Sequence, residues 1–291
     1  MTLEASVSGR EQVADWIETT LLARGTRQMG EDELTGLAAN EIGASAAQVS
    51  FAQRVMTQRA STLVGSYPFV VSPFAVRALP SATSSPYAAL LLLTSGSVAR
   101  QLLSASSTQE MEVLFERIAE GALAQLWGPA GRAVRFGWPS DVGRPPEFPA
   151  AIQWLANQLG VPVGGGYRPP IRKDGGVDVI AWRAFPDGRA GFPVVLAQCT
   201  LQADLITKAS DVEPRVWASW LRMDVDPVTA LVVPQTIGDD RLWGQLALRG
   251  MVLERTRLAG LMGPEAEIQG LQVWVSDVLA TIRPYLGGAQ D

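Results

Sequence analysis

Two polar side chains, Asp178 and Gln198, interrupt otherwise apolar segments, and their spacing about a turn makes them candidates for one site. Val177 to Trp182 and Pro193 to Thr200 read as strands, and Pro186-Asp187-Gly188 between them is a turn signal, so a β-hairpin is expected. With Gly188 at the turn centre, Asp178 and Gln198 lie ten residues to either side and face each other. A two-residue turn at Asp187-Gly188 would pair Asp178 with Ala197 instead. An unpaired polar group in a buried strand costs about 1–3 kcal/mol, and a carboxylate more. Two such groups that meet suggest a site built on oxygen donors; the alternative is that Asp178 caps the glycine turn and Gln198 bonds a neighbouring backbone group.

Composition narrows the chemistry those oxygens can serve. The chain has no histidine and one cysteine, Cys199, which removes Ser-His-Asp and Cys-His nucleophiles, histidine- or cysteine-bound zinc and intramolecular disulfides. Carboxylate chemistry with an oxygen-bound metal, Mg2+ or Mn2+, survives. A net charge of −5 gives no global attraction to nucleic acid, so binding DNA would need a local basic surface or a partner subunit. Arg168, Arg172, Lys173, Arg183 and Arg189 gather around the hairpin as candidate phosphate contacts, or as a solvated basic patch.

The elements that must position these residues follow from periodicity. Residues 11 to 60 read as helices, Tyr67 to Arg77 as a proline-broken edge strand and Ser81 to Pro86 as a loop, giving a mostly helical first domain over residues 1–105. Residues 106–291 form the second domain. It begins with an amphipathic helix over Met111 to Trp127, whose outer side carries Glu112, Glu116 and Glu120, a pattern that is ordinarily a solvated stripe. Then come a short strand at Ala133 to Trp138, a helix over Pro149 to Leu159, the hairpin, a helix over Gln202 to Arg222 and a buried strand at Thr229 to Val233. Helices at Arg241 to Arg249 and Ile268 to Tyr285 complete an α/β alternation. Gly164-Gly165-Gly166 and Gly175-Gly176 read as turns, Trp217 and Trp220 as core, and Leu253 to Leu258 as a structural strand-to-helix segment. The apolar run Tyr87 to Thr94 is too short to cross a bilayer, so a soluble cytoplasmic protein is expected.

The order of a glutamate-bearing helix, Asp174-Gly-Gly-Val-Asp178 entering a strand, and a second strand ending in Gln198 resembles the PD-(D/E)xK nuclease superfamily. It is closest to modification-dependent restriction enzymes that carry Gln at the second acidic position, and to nuclease-like proteins of prokaryotic defence regions; the resemblance covers about residues 111–260. It implies a restriction-endonuclease-like α/β core, a central mixed sheet flanked by helices. It also implies Mg2+-dependent (or Mn2+-dependent) hydrolysis of DNA phosphodiesters in defence against foreign DNA. Asp178, Gln198 and Glu116 would be metal ligands, with Glu120 a lesser choice for the last. The lysine expected two residues after Gln198 is replaced by Thr200, and Lys208 would be its migrated counterpart or a solvated helix residue. That loss leaves a second expectation, an inactive nuclease fold that binds DNA or assembles a complex. A nucleotide-binding sensor without hydrolysis is a third. The first domain would recognise a partner, a ligand or DNA, or mediate oligomerisation.

Overall fold

The computed structural model describes residues 10–25, 28–103, 108–166, 170 and 174–286. In chain order the described elements begin with α1 (Arg10–Arg24), β1 (Met29–Gly30), α2 (Glu31–Ile42), α3 (Ala46–Thr62), β2 (Phe69–Val71), β3 (Ala75–Ala78), α4 (Pro86–Leu93) and α5 (Val98–Leu102). They continue with α6 (Thr108–Gln125), β4 (Arg132–Arg135), α7 (Phe148–Leu159), β5 (Val179–Trp182), β6 (Val194–Cys199), α8 (Leu205–Lys208) and α9 (Pro214–Trp220). The last are β7 (Val228–Val232), α10 (Asp240–Ala247), β8 (Met251–Leu253), α11 (Arg255–Met262) and α12 (Leu271–Ile282). The protein is a mixed α/β chain, and no helix among the described residues is long and apolar enough to cross a membrane.

The chain divides into two compact units, but not into residues 1–105 and 106–291. One unit is Met1–Met111 with Pro234–Gly238 and Arg255–Asp291; the other is Glu112–Val233 with Asp239–Glu254. The C-terminal helices return to the first unit because their apolar faces are buried there. Leu258 and Ala259 of α11 and Leu271, Val275, Val278, Leu279 and Ile282 of α12 are all core residues, and both helices pack on α4. This unit is helical around a three-stranded antiparallel sheet of order β1-β3-β2. The segment expected as one edge strand is therefore a hairpin, with Pro73 in its turn and β3 in the sheet centre.

A buried ionic network ties the first unit's segments together. Arg255 of α11 makes a bidentate pair with Asp15 of α1 (2.8 and 2.7 Å) and donates to Thr94 Oγ1 (2.6 Å) and Pro234 O (3.0 Å). Arg59 of α3 reaches Asp15 and Glu18 (both 2.8 Å), and the Tyr67 and Tyr87 hydroxyls donate to Glu18 (2.6 and 2.9 Å). Charges this deeply placed are tolerated because each finds several partners. Burial opposes ionisation of Asp15, but Arg255 and Arg59 outweigh it and hold the carboxyl below its usual range.

The second unit is built on a five-stranded mixed sheet of order β4-β5-β6-β7-β8. β4, β5 and β6 are antiparallel neighbours, while β6, β7 and β8 run parallel. β5 is buried along its whole length, as a strand covered on both faces must be. On one face Val134, Phe136, Ile180, Trp182, Val194 and Leu196 pack with α7 and with Trp217 and Trp220, whose rings meet edge to face at 5.2 Å. On the other face Arg135 meets Glu116 of α6. The helix expected over Gln202 to Arg222 is two short ones, because Pro214 lacks an amide hydrogen and starts α9 afresh. Gly175 and Gly176 form the expected turn, with φ of 64° and 79°.

Candidate active site

The expected hairpin register is observed between the strands, where Val179 pairs with Ala197, and Asp178 stands immediately before β5 at the end of the sheet where β4 and β6 finish. Backbone accounting shows how this end is held. Asp178 N donates to Ala197 O (2.9 Å), while Phe136 N (2.7 Å) and Gly137 N (3.0 Å) both donate to Asp178 O. The Asp178 side chain completes the ladder, its Oδ2 accepting from Cys199 N at 2.7 Å. One carboxylate oxygen thus has a structural duty, though not the turn-capping one, since Asp174 Oδ1 accepts from Gly176 N at 2.8 Å in the glycine turn; Oδ1 of Asp178 remains for other work.

Gln198 is 5% exposed. Its Nε2 donates to Asp211 Oδ2 at 3.1 Å, and its Oε1 is buried with no hydrogen-bond donor among the described residues. Lys208 comes to the same carboxylate, Nζ to Asp211 Oδ2 at 3.3 Å, so the lysine is neither distant nor solvated on a free helix face. A cavity of about 10 Å3 beside Gln198 and Lys208, bordered also by Thr229 and Arg249, has room for one water molecule.

Glu116 reaches the site from α6. Its carboxylate lies over Gly137, where an added Cβ would come within 2.5 Å of Oε2. The same Oε2 is 2.6 Å from Nε of Arg135, which also donates to Asp141 Oδ1 (2.7 Å) and Pro139 O (2.7 Å). Glu116 is therefore already engaged by a buried arginine and serves as a neighbouring charge to Asp178 more readily than as a free ligand. Burial outweighs Arg135 and pushes the Glu116 carboxyl up to about 7. Burial, then the charges of Glu116 and Asp174, push Asp178 well above the usual carboxylate range. Burial and the same acidic surroundings raise the Cys199 thiol, which makes it a poor nucleophile.

The remaining expected residues separate. Arg183 follows the far end of β5, about 17 Å from Asp178 at the rise of an extended strand, and donates to Trp127 O at 3.3 Å. Arg189 is exposed beside Asp187. Both lie away from the Asp178 end of the hairpin. Arg168, Arg172 and Lys173 lie outside the described residues. Arg135, Gly137 and Asp211 are the participants that sequence reasoning missed. Asp211 carried a signal, its position three residues after Lys208, whereas Arg135 sat inside an apolar strand and Gly137 beside it.

Among the described residues no group of three His, Cys, Asp or Glu side chains is placed to hold a metal ion. Asp178 and Gln198 Oε1 are each hard oxygen donors of the kind that suit Mg2+ or Mn2+; the acidity around Asp178 favours a cation there, whereas Gln198 borders Lys208 and Arg249. No family model matches the chain, and neither a curated protein nor a solved structure does.

Proposed function

We propose that the second unit is a metal-dependent nuclease core of the PD-(D/E)xK type that hydrolyses DNA phosphodiesters, acting in defence against foreign DNA. The observation that carries the reading is the carboxyl of Asp178 at the entry to β5, buried among Glu116 and Asp174, with Gln198 next to its strand partner Ala197 and Lys208 linked to Gln198 through Asp211. The order of elements supports it: a glutamate-bearing helix, an antiparallel β4-β5-β6 group with Asp178 entering β5 and Gln198 near the end of β6, a lysine in the next helix, and a parallel β7.

In this reading Asp178 and Gln198 hold the cation and Glu116 adds negative charge nearby. Mg2+ or Mn2+, when bound, supplies Lewis acidity toward a phosphoryl oxygen and lowers the pKa of a water molecule. Asp178 keeps its geometry through the Cys199 amide, so the ligand does not need to reorganise on loading. Lys208 presents an ammonium to the developing charge on the phosphate. Arg168, Arg172 and Lys173 supply contacts to the DNA backbone, and the first unit recognises the target or a partner protein.

A second reading, an inactive nuclease fold that binds DNA or assembles a complex, is favoured by the Glu116–Arg135 and Lys208–Asp211 pairs, each of which occupies a group that catalysis would use. The two part in one experiment. Supercoiled plasmid, linear duplex and single-stranded DNA are incubated with the protein in Mg2+ or Mn2+, beside Asp178→Ala and Lys208→Ala. Cleavage lost in both variants supports the nuclease, and retention of DNA without cleavage in all conditions supports the second reading.

A further inference from the structure

The first unit holds a groove of about 1000 Å3 that no residue of the candidate active site lines. Its walls are residues 65–68 leaving α3, residues 79–86 between β3 and α4, and residues 263–273 joining α11 to α12. The fold holds each wall in place. Leu79 N donates to Pro68 O (2.9 Å), Ser85 Oγ accepts from Tyr87 N at the start of α4 (3.2 Å), and α12 packs on the turn Ala82–Ser84 and on α4. At one point two walls meet, where a Cβ at Gly65 would lie 3.8 Å from Pro264 Cγ.

Two features of the lining select an occupant. The first is charge. Among the described lining residues none is basic, and the carboxylates are Glu265 and Glu267, both exposed. A phosphate, a nucleic acid or an acidic segment would meet repulsion there and no counter-ion, whereas a cation meets two carboxylates. The second is the main chain. From Glu265 to Gly270, a segment that is neither helix nor strand, no amide hydrogen has an acceptor among the described residues. An exposed run of that kind bonds to water when empty and to a second backbone when a peptide lies along it. Leu79, Ile268 and Val273 add apolar surface for alternate side chains. The volume stands at the upper end of the roughly 300–1,000 Å3 of ligand pockets, room for several residues of an extended chain.

Resting on the recognition role proposed above for the first unit, we infer that this groove docks an extended, lysine- or arginine-bearing peptide segment of a partner protein. Glu265 and Glu267 meet its cations, and residues 265–270 meet its backbone. The first unit thereby selects a protein and not the DNA, and binding requires neither a metal ion nor hydrolysis.

The test is selection of phage-displayed random octapeptides by the full chain, followed by fluorescence polarisation of the selected peptides after synthesis. The selected sequences are expected to be rich in Lys and Arg and poor in Asp and Glu, with affinity that falls as salt is raised. Glu265→Lys/Glu267→Lys is expected to weaken binding at least tenfold. Ser81→Trp, which fills the groove from an exposed position and leaves its charge unchanged, is expected to do the same. Thermal unfolding of both variants, followed in parallel, should match wild type. Asp178→Ala should bind the peptides as wild type does, so the nuclease reading and this inference can fail separately. No sequence selected above background, selected sequences that are neutral or acidic, or wild-type affinity in either folded groove variant overturns the inference.

Discussion

Replacing Arg255 with methionine should destabilise the first unit by about 3–5 kcal/mol, the range for removing one partner from a buried ion pair. The structure places this substitution at the severe end. Arg255 is fully buried, and its loss strips Asp15 of a bidentate partner and leaves Thr94 Oγ1 and Pro234 O without their guanidinium donor. Asp15 would keep Arg59, which is already shared with Glu18 and Glu11, so the excess acidity of α1 would be buried with one cation instead of two. In urea the loss appears as a fall in midpoint of roughly 1–2 M. Hydrogen exchange in α1 and α11 should report it first, since both ends of the pair lie there. The double variant Arg255→Met/Asp15→Leu should recover part of the stability, because two apolar groups replace a buried pair at little net cost. A loss below about 1 kcal/mol in Arg255→Met, with exchange in α1 unchanged, would refute the argument that this network holds the unit together.

The same network predicts an alkaline limit. Burial foremost, and the Glu18 charge with it, hold the Tyr67 and Tyr87 hydroxyls neutral far above their ordinary value of 10. The stability they contribute is present below pH 10 and falls as pH rises toward the folded-state values. Ultraviolet titration should show these two of the four tyrosines ionising only together with cooperative unfolding, and their early, gradual titration would contradict the burial argument. A fragment ending at Met111 lacks α11, α12 and the Pro234–Gly238 segment that complete its unit. It should give neither a cooperative thermal transition nor dispersed amide resonances, and a folded fragment would show that the returning helices are dispensable.

The hairpin was legible because its determinants are local: an apolar strand, a turn with Gly188, and a second apolar strand fix the register of the paired residues. Lys208 was legible as a candidate because lysine occurs at only two positions, 173 and 208. Arg135 and Arg255 were not legible, since an arginine in sequence reads as surface charge until the packing shows the carboxylates around it. The return of α11 and α12 to the first unit was hidden for a related reason. Periodicity shows that a helix has an apolar face and says nothing about which distant segment covers it. The break at Pro214, by contrast, was written in the sequence, and the helical pattern across Gln202 to Arg222 hid a rule that proline enforces.

If Asp178 holds the cation of the proposed nuclease, the initial rate of supercoiled plasmid nicking in Mg2+ should depend on it, and Asp178→Asn measures that dependence. Asparagine keeps an acceptor for the Cys199 amide, so the strand end should survive while the charged ligand is lost. Wild type should nick in a reaction that chelation abolishes, and the variant should fall at least about 100-fold, near 2.7 kcal/mol of transition-state stabilisation. Equal rates for the two folded proteins would contradict it.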